Sequence, residues 1–241
     1  MNIDTLISIG YYVSSIGFLV ATIKTYMAYS KSGASGIKTV LKYLFIGTGT
    51  FFIITIFQKL GNGFFRIAPE SMDVWWHIMF YMAMISFYFA FKTLAGLGSS
   101  DASAPAHPNE GRTWGIISIV LLVIIFIVPS IAEPWVQAYL ASRLAELGAH
   151  HFLAFALAGV VGAYVFSAKI FLGQIGKAIS GPMIVAIWAL ALQHMWELLV
   201  ESWKVIEVTG EVGEGVEKIF LTIAAISIIY SVSRLKAFSQ A

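Results

Sequence analysis

The chain has no cysteine. That excludes disulfides, thiolate metal ligands, iron–sulfur clusters and covalently attached c-type haem. Charge is also scarce. Only 12% of the 241 residues are charged, about half the usual share of roughly 25%. A soluble domain this poor in charge would expose large apolar patches, so the composition argues against a soluble enzyme, a disordered tail or a nucleic-acid binder. The net charge of +2 gives no nucleic-acid signal. The first residues, MNIDTLISIG, lack the basic stretch of a cleavable signal, and the apolar run they open is long enough to remain as a span. No internal repeat is apparent.

What remains is apolar: 59% hydrophobic and 15% aromatic residues. A membrane span needs about 20 mostly apolar residues. Seven stretches qualify, at 5–29, 39–60, 74–95, 114–131, 150–172, 182–203 and 219–234. The expected fold is therefore all-α, a single integral membrane domain over 1–241 built as a seven-helix bundle. Gly- and Pro-bearing segments separate the spans. The piece 96–113, which begins GLGSSDASAPAHPNEG, reads as a flexible inner loop. The segment 134–147 has apolar residues at helical spacing and opens on Pro134, but it is too short and polar to span. It reads as a short interfacial helix between spans four and five.

Basic residues set the expected orientation, because cytoplasmic loops are enriched in Lys and Arg. With the N-terminus outside, ten basic residues fall inside and five outside, while eleven of the thirteen acids fall outside. This predicts N-terminus out and C-terminus in, in a multi-pass protein of a prokaryotic cytoplasmic membrane. Trp75, Trp76, Trp135 and Trp203 then mark the outer boundary. Ala154, Ala158 and Gly162 form a stripe of small residues suited to close packing inside the bundle. Glu207, Glu211, Glu214 and Glu217 read as an acidic outer loop, and Lys218 as the entrance to span seven.

Ionisable groups inside a bilayer cost roughly 2.5–3.5 kcal/mol each on insertion scales and usually have a purpose. Four of the five histidines, His77, His150, His151 and His194, fall in or at the ends of spans, and the expected topology sends all four to the outer half. His194, Glu197 and Glu201 lie at i, i+3 and i+7, on one helix face. Gln193 sits one turn below Glu197. Asp73 and His77 lie at i and i+4, where a carboxylate can orient an imidazole.

Several readings follow. Two imidazoles, His77 with His194 or His194 with His150 or His151, can hold a b-type haem axially in a redox protein. Alternatively His77, His150, His151, His194 and Glu197 ligate a Zn, Cu or Fe ion, with Asp73, Glu201 and Gln193 supporting them, for redox or metal-dependent chemistry. Partners beyond the lipid bilayer would then be a quinone, a redox protein or a lipid substrate. In a third reading the protein is a non-catalytic sensor, receptor or subunit of a membrane complex or homo-oligomer, and His194 with Glu197 is a pH-sensitive pair. A transporter is disfavoured by the missing repeat symmetry.

Overall fold

A computed structural model describes residues 3–33, 35–60, 69–98, 148–171 and 173–239. The expected span at 114–131, the interfacial helix at 134–147, Trp135 and nearly all of the loop at 96–113 lie outside them. The described chain is all-α: α1 (Ile3–Lys31), α2 (Ser35–Leu60), α3 (Pro69–Gly98), α4 (Ala149–Phe171), α5 (Gly173–Glu197) with a π-helical turn at Leu198–Ser202, and α6 (Gly210–Ser239). Each of the six contains a stretch long and apolar enough to cross a membrane, the mark of a multi-pass integral membrane protein.

Hydrocarbon offers no hydrogen bonds, so the backbone must satisfy itself, and unbroken helices are the means. Buried hydroxyls do the same locally. Thr25 donates to Ala21 O at 2.6 Å, Thr48 to Leu44 O at 2.9 Å and Thr55 to Phe51 O at 3.0 Å. This pressure also corrects two expected loops. The glycine-bearing stretch before Pro182 is helical from Gly173, and the acidic segment is helical from Gly210, so Glu211, Glu214 and Glu217 stand on α6. Pro182 removes one backbone donor inside α5. One turn earlier Ser231 of α6 donates to Ile179 O at 2.7 Å, tying α6 to the altered stretch.

The six helices pack as a closed ring in chain order, with α6 returning against α1. Side-chain pairs give their senses. Phe18 stacks on Phe51 and Tyr26 meets Phe45, so α1 and α2 are antiparallel. Phe51 meets Phe80 and Tyr43 stacks on Phe89, so α2 and α3 are antiparallel. His77 meets His151 and Tyr88 meets Tyr164, so α3 and α4 run parallel. Trp196 bonds Gly213 while Ser231 bonds Ile179, so α5 and α6 are antiparallel. Gly10 abuts Lys218 and Lys24 bonds Ser233, so α1 and α6 run parallel.

Phe18, Phe51, Phe80 and Phe87 fill the middle of the ring and are fully buried. The Phe18–Phe51 centroids are 4.9 Å apart, with Phe80 edge-on to Phe51 at 5.8 Å, arrangements that aromatic quadrupoles favour. The small stripe Ala154, Ala158, Gly162 packs inward, as its spacing predicts. Trp75 and Trp203 are half-exposed, and Trp76 is buried against the core.

Candidate metal centre

The starts of α3 and α4 and the end of α5 meet at one end of the ring. There the parallel sense of α3 and α4 sets His77 beside His150 and His151, with centroids 4.6 and 4.9 Å away. The antiparallel α5 brings His194 and Glu197 to the same level, and His194 lies 5.3 Å from His77 and 5.9 Å from His151. Phe80, one turn below His77, holds the His194 ring edge-on at 4.2 Å. The aromatic column is thus the floor of the cluster.

One donor atom from each of His77, His151, His194 and Glu197 can be chosen so that all four lie within 4.8 Å of one another, and all four residues are buried. His77 Nε2 stands 3.2 Å from His151 Nδ1. His151 Nδ1 stands 3.0 Å from Glu197 Oε2, and that oxygen is 2.6 Å from His194 Nδ1. Distance alone would make the last two hydrogen bonds, but direction decides. Both nitrogens of His194 and Glu197 Oε2 are fully enclosed without an aligned hydrogen-bond partner among the described residues. Buried polar atoms left so are costly. One donor atom of each residue instead faces the others within the 4.8 Å span of the cluster. An ion with bonds of about 2.1 Å holds adjacent ligands roughly 3.0 Å apart in an octahedral site and roughly 3.4 Å in a tetrahedral one. The separations of 2.6, 3.0 and 3.2 Å lie around that scale, and the whole set of four lies within 4.8 Å. Three imidazoles and a carboxylate form a donor set for Zn, Fe or Cu rather than for the hard ions Ca and Mg. The buried group could hold a metal ion.

The supporting residues divide. Gln193 Nε2 donates to Glu197 Oε1 at 3.0 Å, fixing the carboxylate. Glu201 points largely to solvent, its side chain 59% exposed, with Oε2 at 3.9 Å from His151 Nε2. The sequence placed Glu201 on the face of His194. The π-helical turn beginning right after Glu197 breaks that register: Trp203 N bonds Leu198 O, five residues back. Such turns recur at functional sites. His150 rests against His77 and His151, but it is not part of the convergent group. Its carbonyl accepts the Tyr81 hydroxyl at 2.8 Å, pinning the first turn of α4 to α3. Asp73 belongs to α3, and its side chain lies outside the described residues.

Gly148 makes the approach of α4 possible. Its φ is 61°, a conformation costly to residues with a Cβ. A Cβ there would lie 2.5 Å from both Leu198 Cδ1 and Ser202 Oγ in the π-helical turn.

Sequence reasoning missed Tyr81, Phe80 and Gly148 around the cluster. It also placed Lys218 at the mouth of its span, whereas Lys218 is 3% exposed, eight residues into α6. The only signal available was that Lys218 precedes a long apolar run by a single position. No protein-family model, curated protein or solved structure matches this chain.

Proposed function

We propose that the protein is a metal-dependent membrane enzyme holding one transition-metal ion on His77, His151, His194 and Glu197. The observation that carries this reading is the meeting of four buried donor residues from three helices, in which the His194 nitrogens and Glu197 Oε2 lack an aligned partner among the described residues. Bound there, Zn or Fe would supply Lewis-acid activation of water or of a substrate oxygen. The protein's own contribution is to hold the four donors rigidly, with Gln193 and Phe80 orienting Glu197 and His194, and to exclude bulk water. A substrate borne in the membrane, a lipid above all, has direct access to such a depth.

The same reading carries seven crossings with the site in the outer half. The start of α1 and the end of α6 lie at opposite ends of the ring, and α3 and α4 run the same way. Both facts are met by one further crossing between residues 98 and 148, and the apolar stretch 114–131 is long enough to make it. The excess of Lys and Arg at the other end supports N-terminus out.

A haem gains no support. Axial ligation places a porphyrin sheet between two imidazoles. Here His77 Nε2 and His151 Nδ1 are 3.2 Å apart, and Phe80 already covers His194. The 2.6 Å contact of His194 with Glu197 favours one second reading, a non-catalytic pH-sensing pair.

Metal analysis and visible absorption of the purified protein test the proposal. About one Zn, Fe or Cu per chain is expected, falling at least tenfold in His194→Ala, with no Soret band. A metal-free, correctly folded protein would leave the sensor reading. An undiminished ion in His194→Ala would overturn the site.

A further inference from the structure

The face of α6 that turns into the bundle carries charge near the start of the helix. Glu214, Glu217 and Lys218 precede Leu221, Ala225 and Ile228 at helical spacing, and those three are fully buried. The bond from Trp196 to Gly213 O sets the depth. By the antiparallel register Glu214 stands level with the end of α5, and Glu217 about one turn deeper, level with Gln193. Exposure falls along the file: Glu211 is exposed, Glu214 and Glu217 are half-buried, and Glu197 is buried.

The file is electrically continuous with the cluster. Glu217 lies within electrostatic reach of Glu197, Glu201, Glu214 and Lys218. The Tyr11 hydroxyl of α1 donates to Glu214 and is within reach of Glu217 and Glu197. Among the described residues, the ammonium of Lys218 stands against these carboxylates. Lys218 Nζ is 3.5 Å from Glu217 Oε2 and 4.1 Å from the centre of the Tyr11 ring. Only a glycine at position 10 leaves room for its stem, since a Cβ there would lie 2.7 Å from Lys218 Cβ.

Attraction of acids to a helix N-terminus fades within the first turn. It explains Glu211 but not Glu214 or Glu217. A file of one sign between low-dielectric walls focuses its field and raises the on-rate of an opposite charge. The inner member of the file, Glu217, is within electrostatic reach of Glu197, whose Oε2 lacks an aligned partner among the described residues.

We propose that divalent metal ions reach the His/Glu centre along Glu211, Glu214 and Glu217 from the end of the bundle where α6 begins, with Lys218 as the resident counter-charge. This rests on the metal-site reading and adds its loading route. The carboxylates draw the ion in and hand it to Glu197, and Lys218 keeps the unloaded file from repelling itself.

Chelator-stripped full-length protein is mixed with Co2+, and the growth of its ligand-field absorption is followed at about 20 mM and about 300 mM salt. The double variant Glu214→Gln/Glu217→Gln is expected to load about tenfold more slowly, to lose most of its salt dependence and to reach the wild-type end point. Lys218→Gln, which keeps every carboxylate, is expected to load faster than wild type. Opposite signs from neighbouring substitutions are not what a folding defect produces. Wild-type rates in both variants would overturn the route. So would a lost end point in a double variant of unchanged helicity, which would make these residues ligands. Failure of the wild type to take up Co2+, or equal uptake by His194→Ala, would instead sink the metal site itself.

Discussion

Gln193 Nε2 donates to Glu197 Oε1 at 3.0 Å, leaving Oε2 to face His151 and His194. One carboxylate oxygen is thereby committed to the helix that carries it and the other to the cluster. Because the two residues are one turn apart on α5, their geometry is set by the helix itself. Gln193→Leu keeps the volume and removes the donor. It is expected to weaken metal affinity about 10–100-fold, the usual range for a partner behind a ligand, with little change in helicity. Titration with a competing chelator measures it.

Gly148 and Gly181 make a matched pair. At φ 61°, with Leu198 and Ser202 within 2.5 Å of an added Cβ, Gly148→Ala meets both backbone strain and a clash. The expected loss is about 1–3 kcal/mol, with reduced metal occupancy because α4 can no longer bring His151 in. Gly181 is helical and has nothing within 4 Å of an added Cβ. Gly181→Ala is expected to be neutral or to stabilise by up to about 1 kcal/mol. Thermal unfolding in detergent, with metal content measured in parallel, separates the two.

Ser231 tests stability apart from chemistry. Its hydroxyl bonds Ile179 O near Pro182, on the opposite half of the bundle from the histidines. Ser231→Ala is expected to cost about 0.6 kcal/mol, typical of an interhelical bond in a membrane, while metal content stays at the wild-type level. A fall in metal content would show that the site depends on α5 far beyond its own turn.

Protons compete with the ion. Ligation needs neutral imidazoles and an ionised carboxylate, so binding releases protons and affinity falls as pH falls. Affinity for Zn2+ is expected to fall as pH falls, by more than one decade per unit wherever binding displaces more than one proton. Isothermal titration in two buffers of different ionisation enthalpy counts the released protons. A count that fails to rise as the pH is lowered would mean that the imidazoles are not the ligands.

Much of this was legible in the residues. Long apolar runs fixed six helices, because in lipid a run of that length has no other way to satisfy its backbone. His77, His151, His194 and Glu197 stood out because ionisable groups in spans are expensive. Their meeting followed from the alternation of helix directions, which brings the start of α4 and the end of α5 to one level. Three features were not legible. The π-helical turn turns Glu201 toward solvent, and helical spacing carries no sign of it. The glycines before Pro182 and the acids before Ile219 resembled loops, since soluble-protein punctuation loses force where hydrocarbon forbids an open backbone. Lys218 looked like a boundary residue because the space beside it is provided by Gly10, two hundred positions away in the chain.

X-ray absorption at the metal edge tests the central claim most directly. For the wild-type protein carrying its ion, the account predicts nitrogen and oxygen neighbours at about 2.0–2.2 Å, with outer-ring scattering from three imidazoles that drops to two in His151→Ala. A spectrum without imidazole scattering, or one unchanged in that variant, would contradict it.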